Sequence, residues 1–360
     1  MLLPLKIVHD RLQKIRIAIG KQLLDKPVAP LTDEHLTLCP VRKILFLRKD
    51  SKIGDMVVSS FVFREIKKND PSIKIGIVCA PKNRNLIEGN PYIDYYHYLP
   101  SRSIRNHIAL GKELAKAGYD TVIDPTIFLR NRDLLLLSMI KAKRYIGYKK
   151  ADYKLFNMDI EEEMHFSEVY KQALLLCGFK DVDTSCDIPV NKESEQNVRR
   201  FLEMNNLNRY IAVNFFGASH SRQFSRNNIS LFLDYFCKNR PGKNWVLLSD
   251  PDVTPKLKSL LSDRKNIHIY EQTRTIFDSI ELIKSADWII SPDTAIIHIA
   301  SGFNKKIIGF YNRDKANWNH WHPTTKAECR IVHFNRNINE ISPETLEKEK
   351  ISALLSERCL

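Results

Sequence analysis

The feature that most restricts how this chain can fold is an alternation, repeated twice, of short apolar runs with segments of helical periodicity. In the first series the apolar runs are 43–48 (KILFLR), 74–79, 95–99, 121–124 and 144–148, and helical spacing covers 54–68, 104–117 and 131–140. In the second, apolar runs at 210–215, 244–249, 266–269, 287–291 and 306–311 alternate with helical stretches at 227–239, 255–262, 276–285 and 295–302. A strand–helix–strand rhythm of this kind predicts a mainly parallel sheet covered by helices on both faces. Two such series in 360 residues predict two α/β domains, each able to bury a core without disulfides or a metal. In open sheets of this class ligands bind beyond the carboxyl ends of the strands. The chemistry is therefore to be sought in the loops that follow them.

Residues 165–205 read as mostly helical, with a break near 181–190. This gives an N-terminal domain over 41–188 and a C-terminal domain over 189–342. A last helix, 343–356, opens a segment (343–360) expected to pack back across the junction. Residues 1–40 read as an extension: Leu5, Val8, Leu12, Ile15 and Ile19 recur at helical spacing among Lys6, Arg11, Lys14, Arg16 and Lys21. A basic amphipathic helix of this kind can lie on an anionic membrane or pack on its own protein. Lys and Arg number 56 against 42 Asp and Glu, a net charge of +14. That balance favours polyanionic partners (nucleic acid, an anionic membrane face, phosphorylated substrates) or serves solubility alone. No apolar run approaches the roughly 20 residues of a membrane span. The first residues also lack the apolar core and cleavage site of a signal peptide. A cytosolic protein is expected. The seven cysteines are odd in number and include no C-x-x-C pair, so they read as buried thiols rather than disulfides or metal ligands.

Three loops could carry chemistry. The first, KDSKIGD over 49–55, lies between strand and helix; Gly54 permits a tight turn, and Asp55 falls in the first turn of the helix. Asp55 either complements the helix dipole or presents a carboxylate to a ligand. The second is NFFGASHSRQF over 214–224. Its small residues Gly217, Ala218 and Ser219 let backbone amides approach a phosphate, and Arg222 supplies a charged fork. The third, SPDTAIIH over 291–298, joins a strand directly to an apolar helix. The amides of Thr294, Ala295 and Ile296 would form a positive helix end suited to a diphosphate, with Asp293 placed for sugar hydroxyls. Each loop alone is equally consistent with an ordinary helix cap or turn.

In this order, the three loops resemble glycosyltransferase family 9, the ADP-heptose:lipopolysaccharide heptosyltransferases, over about residues 42–312. The family's opening R-x-D-x-x-G-D is matched by Arg48, Asp50, Gly54 and Asp55 with one extra residue between Asp50 and Gly54. Its N-P-G-A-S loop is matched by NFFGAS, again one residue longer, and its D-T-G-x-x-H-x-A by DTAIIHIA. Arg222 stands where the family usually has Lys, Phe224 where it has Trp, and Ala295 where it has Gly. The segment Ser249-Asp250-Pro251-Asp252-Val253 replaces the family's Gly-Gly-Pro-x-x-Glu, with Asp250 or Asp252 available in place of the Glu.

The resemblance implies a GT-B type α/β fold, two Rossmann-like domains facing a central cleft, with acceptor bound by the first and nucleotide sugar by the second. It implies an inverting transfer of a heptose or related sugar from a nucleotide-diphosphate donor, such as ADP-heptose, to the inner core of a lipid A–core acceptor, with no metal and no cofactor. Asp55 matches the family's candidate general base. Arg48, Lys52 and Gly54 fall on the acceptor side. Gly217, Ala218, Ser219, Arg222, Asp293, Thr294, Ala295, Ile296 and His298 fall on the donor side, where Arg222 and the helix amides would stabilise the departing diphosphate. His320 and His322 lack the acidic or cysteine company of a metal site, and their surroundings (318–323) read as a packed surface loop. The rivals are another GT-B nucleotide-sugar enzyme such as an epimerase, a non-catalytic binding module, and a basic nucleic-acid-binding protein. For the last, no recognisable motif accompanies the charge.

Overall fold

The structure, a computed structural model, describes residues 15–30, 40–239, 242–261 and 264–351. These fall into two compact units that divide between Ser185 and Cys186. Twelve strands are described: β1 (Lys43–Arg48), β2 (Lys74–Cys79), β3 (Tyr95–Tyr98), β4 (Thr121–Asp124), β5 (Arg144–Tyr148), β6 (Met158–Ile160), β7 (Ile211–Val213), β8 (Trp245–Leu247), β9 (Ile267–Ile269), β10 (Trp288–Pro292), β11 (Lys306–Asn312) and β12 (Cys329–Phe334).

The first unit holds one six-stranded sheet in the order β3-β2-β1-β4-β5-β6, and the second holds another in the order β12-β11-β10-β7-β8-β9. Every pairing is parallel. Parallel strands need long crossovers, and the intervening helices bury both sheet faces. The central strand β1 is accordingly buried almost throughout, from Ile44 to Arg48. One core gathers Leu45, Val78, Leu114, Val122 and Leu137; the other gathers Val213, Phe232, Trp245, Ile290 and Phe310.

Both sheets reverse direction in the same way. From β1 the chain builds outward through β2 and β3, then returns to the other side of β1 with β4. From β7 it builds through β8 and β9, then returns beside β7 with β10. Such a reversal opens a crevice at the carboxyl ends of the two central strands. The three loops singled out in the sequence follow β1, β7 and β10, so each lies at a reversal.

Several expectations are corrected. The helix expected over 54–68 is two helices, Ile53–Val58 and Phe61–Asn69. The Ser59 and Ser60 hydroxyls bond back to carbonyls one turn earlier, offering the backbone an alternative to a continuous helix. β6 and β12 are edge strands too short or too polar to announce themselves. The histidine-rich stretch near 320 is a helix, Lys315–Trp321, whose N-cap Asp314 accepts the amides of Ala316 and Asn317. The helix expected over 255–262 covers only Thr254–Lys258, and the last helix covers Pro343–Lys348.

Near the N-terminus, residues 15–24 are helical; Leu5, Val8 and Leu12 lie outside the described residues. Leu24 and Val28 pack against the first core. Asp25 accepts the amides of Lys154 and Leu155. Ile15 and Ile19, members of the expected stripe, face solvent. Among the described residues no helix is long and apolar enough to cross a membrane.

Candidate functional site

At the reversal of the first sheet, β1 ends in Arg48 and the chain turns into the helix Ile53–Val58. Asp55 sits in its first turn with its side chain 14% exposed. Its Oδ2 lies 3.8 Å from an Arg48 guanidinium nitrogen and 3.8 Å from Lys52 Nζ. Arg48 is buried and donates to the Asp55 carbonyl at 2.8 Å. It approaches Asp50 at 3.5 Å and stacks on the Tyr170 ring at 5.5 Å. Arg48, expected to touch acceptor, therefore underlies the loop, fixing the backbone and carboxylate of Asp55. Lys52 is the exposed cation of the pair, and Gly54 is buried in the turn.

Lys49, which the motif reading passed over, bridges the reversal. Its ammonium lies 3.3 Å from Asp124, at the end of β4, and 3.3 Å from Asp133. Burial opposes the charge on Lys49, but Asp124 and Asp133 outweigh it and hold its pKa above the usual lysine range. Lys150 is fully buried and donates to the carbonyls of Thr126, Ile127 and Tyr148. Burial, the largest influence, lowers its pKa to about 8. These two lysines pin the loop after β4.

At the reversal of the second sheet, the loop after β7 closes tightly. The Gly217 amide donates to the Arg222 carbonyl at 2.8 Å, and Gln223 Nε2 donates to the Gly217 carbonyl at 2.9 Å. Phe224 anchors the loop, its ring edge-on to Phe215, Phe232 and Phe310. An aromatic at this position thus serves the core. Arg222 reaches across to the loop after β10: Nη1 donates to the Asp293 carboxylate at 2.8 Å and to its carbonyl at 2.9 Å, while Nε approaches Ser219 Oγ at 3.2 Å. Asn317, on the helix that the sequence reading took for a loop, donates to the same Asp293 oxygen at 2.9 Å. The clue available in the sequence was Asp314, a helix-capping residue three positions earlier.

Thr294 caps the helix Ala295–Gly302, and its hydroxyl accepts the Ile296 amide at 3.3 Å. Of the three amides expected to face a diphosphate, that of Ile296 is bonded to the cap hydroxyl. His298, one turn on, is buried with its ring edge-on to Trp321 at 5.7 Å. Burial lowers its pKa to about 4, with a smaller contribution from His322 and partial opposition from Asp293. His298 is therefore neutral at neutral pH and brings no positive charge to this loop. In the loop after β8, Asp250 Oδ1 accepts the amides of Asp252 and Val253, so Asp250 is engaged as a turn residue. Among the described residues no group of three or more His, Cys, Asp or Glu side chains is placed to hold a metal ion.

Comparison with known proteins agrees with this layout. The model of glycosyltransferase family 9 (heptosyltransferase) matches residues 264–349, which include the Asp293 loop and the Asn317 helix. Lipopolysaccharide heptosyltransferase 1 of Campylobacter coli is 22% identical over 343 residues, covering 88% of this chain and 98% of the relative. Two solved structures share the fold. The glycosyl transferase family 9 protein of Veillonella parvula DSM 2008 gives a TM-score of 0.70 at 17% identity, covering 88% of this chain and 98% of that one. The Escherichia coli ADP-heptose lps heptosyltransferase II gives 0.65 at 14% identity, covering 88% and 100%. Loop sequence, sheet order and relatives along most of the length converge on a glycosyltransferase similar to those of family 9, whose model matches residues 264–349 of this chain.

Proposed function

We propose that the chain transfers a heptose, or a closely related sugar, from a nucleotide-diphosphate donor such as ADP-heptose to the inner core of a lipid A–core acceptor, with inversion and without a metal. The observation that carries this reading is the grouping at the second reversal. A cation (Arg222), a carboxylate (Asp293), a carboxamide (Asn317) and a helix N-terminus meet there within hydrogen-bonding reach. A diphosphate suits the guanidinium and the Thr294 and Ala295 amides. A carboxylate repels phosphate, so Asp293 suits the hydroxyl-bearing part of the donor. Gly217, Ala218 and Ser219 leave room for that approach, and His298 supports the helix end as a neutral group. The E. coli structure's name supplies the ADP-heptose candidate.

In the reaction, an acceptor hydroxyl oxygen attacks the anomeric carbon as the bond from that carbon to the diphosphate oxygen breaks. Asp55 takes the hydroxyl proton, and the nucleoside diphosphate leaves with the electron pair. Negative charge grows on the leaving group, where Arg222 and the helix amides stabilise it. Arg48 holds Asp55 from beneath, while Lys52, exposed, and Gly54, which admits close approach, border the acceptor.

The test is Asp55→Asn. Transfer should fall at least about a hundredfold, with nucleotide-sugar affinity retained by calorimetry. Turnover at the wild-type rate would overturn the assignment of the base. An epimerase would instead release altered or free sugar with no acceptor present, which product analysis distinguishes.

A further inference from the structure

We propose that the first unit carries a built membrane-docking face, formed by the helix over 15–24 and the loop after β4, which seats on an anionic lipid surface. Five large apolar side chains stand out from these two elements: Ile15, Ile19 and Leu23, spaced four apart on one helix face, and Ile127 and Phe128 on the loop. Each is between 41% and 67% exposed.

The two elements are neighbours. Asn131, three residues beyond Phe128, donates to the Arg16 carbonyl at 2.7 Å. A Cβ added at Gly20 would fall 2.1 Å from Asn131 Cγ, so helix and loop touch with no room for a side chain between them.

Both elements are held with these side chains outward. The opposite side of the N-terminal segment is fixed by Leu24 and Val28 in the core, by the amides that Asp25 accepts, and by Lys21 lying 4.5 Å over the Tyr153 ring. The loop is fixed by the Lys150 ammonium, which draws in the carbonyls of Thr126 and Ile127 and leaves their neighbours' side chains exposed. Five exposed large apolar side chains on two touching elements are more than the single scattered ones that a surface carries without a partner.

The chemistry of the surroundings selects the partner. Arg16 and Arg130 are exposed on the same two elements, and Lys26 is exposed two residues past the helix. Cations around an apolar patch match a bilayer with anionic headgroups, where the apolar side chains enter the interface and each cation adds attraction to the surface. The loop also follows β4 at the reversal that holds Asp55. A docked face would therefore bring the proposed acceptor side toward the membrane in which a lipid-linked acceptor resides. That last step rests on the proposed function; the docking itself does not.

The experiment is co-sedimentation of the full chain with phosphatidylglycerol–phosphatidylethanolamine vesicles and with phosphatidylcholine vesicles, in low and high salt. Binding to the anionic vesicles alone, released by salt, is expected. L23E/F128E should lower that binding roughly tenfold or more while leaving the melting temperature and transfer to a short soluble acceptor unchanged. R16Q/R130Q should weaken it severalfold and keeps the test alive if the double Glu variant melts early. Equal binding to neutral vesicles, or binding untouched by both variants, would overturn the proposal. So would concentration-dependent self-association that L23E/F128E abolishes in a protein that ignores vesicles, since a second copy would then cover the face. No donor or acceptor is present in the vesicle arm, so its failure leaves the transferase reading standing.

Discussion

On the proposed donor side, one Asp293 carboxylate oxygen accepts from both Arg222 and Asn317. A diphosphate arriving at Arg222 would share the guanidinium with Asp293, since the fork carries five N–H donors. Arg222→Ala should weaken donor binding and lower the rate further still, because leaving-group charge peaks in the transition state. Arg222→Lys should recover part of both, which calorimetry and steady-state kinetics would show. His298 makes a different prediction. Its pKa, about 4 when folded against 6.5 as an ordinary histidine, means that the unfolded chain binds a proton between those values while the folded chain does not. Stability should therefore fall as pH drops from 6.5 towards 4, by about 2 kcal/mol at pH 5 from this group alone. His298→Gln should flatten that part of the profile in denaturant titrations at pH 7 and pH 5. An equal slope in the variant would place the titration elsewhere.

At the scale of elements, the strands of both sheets were legible because each central strand is a short run with an apolar middle, as in the ILFL of KILFLR. β6 and β12 were not, because an edge strand is half-exposed and takes its pairing from a neighbour. The helix over Lys315–Trp321 was hidden by its composition: Trp and His carry a weak helical preference, and tertiary packing of Trp318 on Tyr311 and Trp321 on His298 decides its state. The loop after β1 was legible in its Gly and Asp, whereas Lys49, Asp124 and Lys150 gain meaning only when the sheet reversal brings them together. Gly217 shows how closely the donor loop is built. A Cβ there would lie 2.6 Å from Arg222 Cβ and 2.8 Å from its carbonyl oxygen, a backbone atom that cannot swing aside. Gly217→Ala should open the loop, displace Arg222 and cut donor affinity at least about tenfold, with a melting temperature lowered by only a few degrees. Unchanged affinity would show that the loop tolerates the strain without moving Arg222.

For the whole molecule, the two units repeat one arrangement. In each, a cation after the first strand crosses the reversal to an aspartate at the carboxyl end of the fourth: Lys49 to Asp124, the last residue of β4, and Arg222 to Asp293, the first after β10. On the proposed donor side, Arg222 and the helix amides would supply the positive field that a divalent ion provides in other transferases. Transfer should accordingly survive excess EDTA, and an assay that collapses with EDTA and recovers with Mg²⁺ or Mn²⁺ would contradict the proposed donor side. The Arg222–Asp293 pair has a kinetic consequence as well. If Arg222 receives the diphosphate, the spent nucleotide shares its cation with a carboxylate already within reach, so the protein itself competes for the group that retains the product. Each turnover would end in an exchange of partners rather than the exposure of a bare charge. Escape of the nucleotide would then be eased on every cycle, and the site would return to its starting arrangement through its own carboxylate rather than through solvent or counterions.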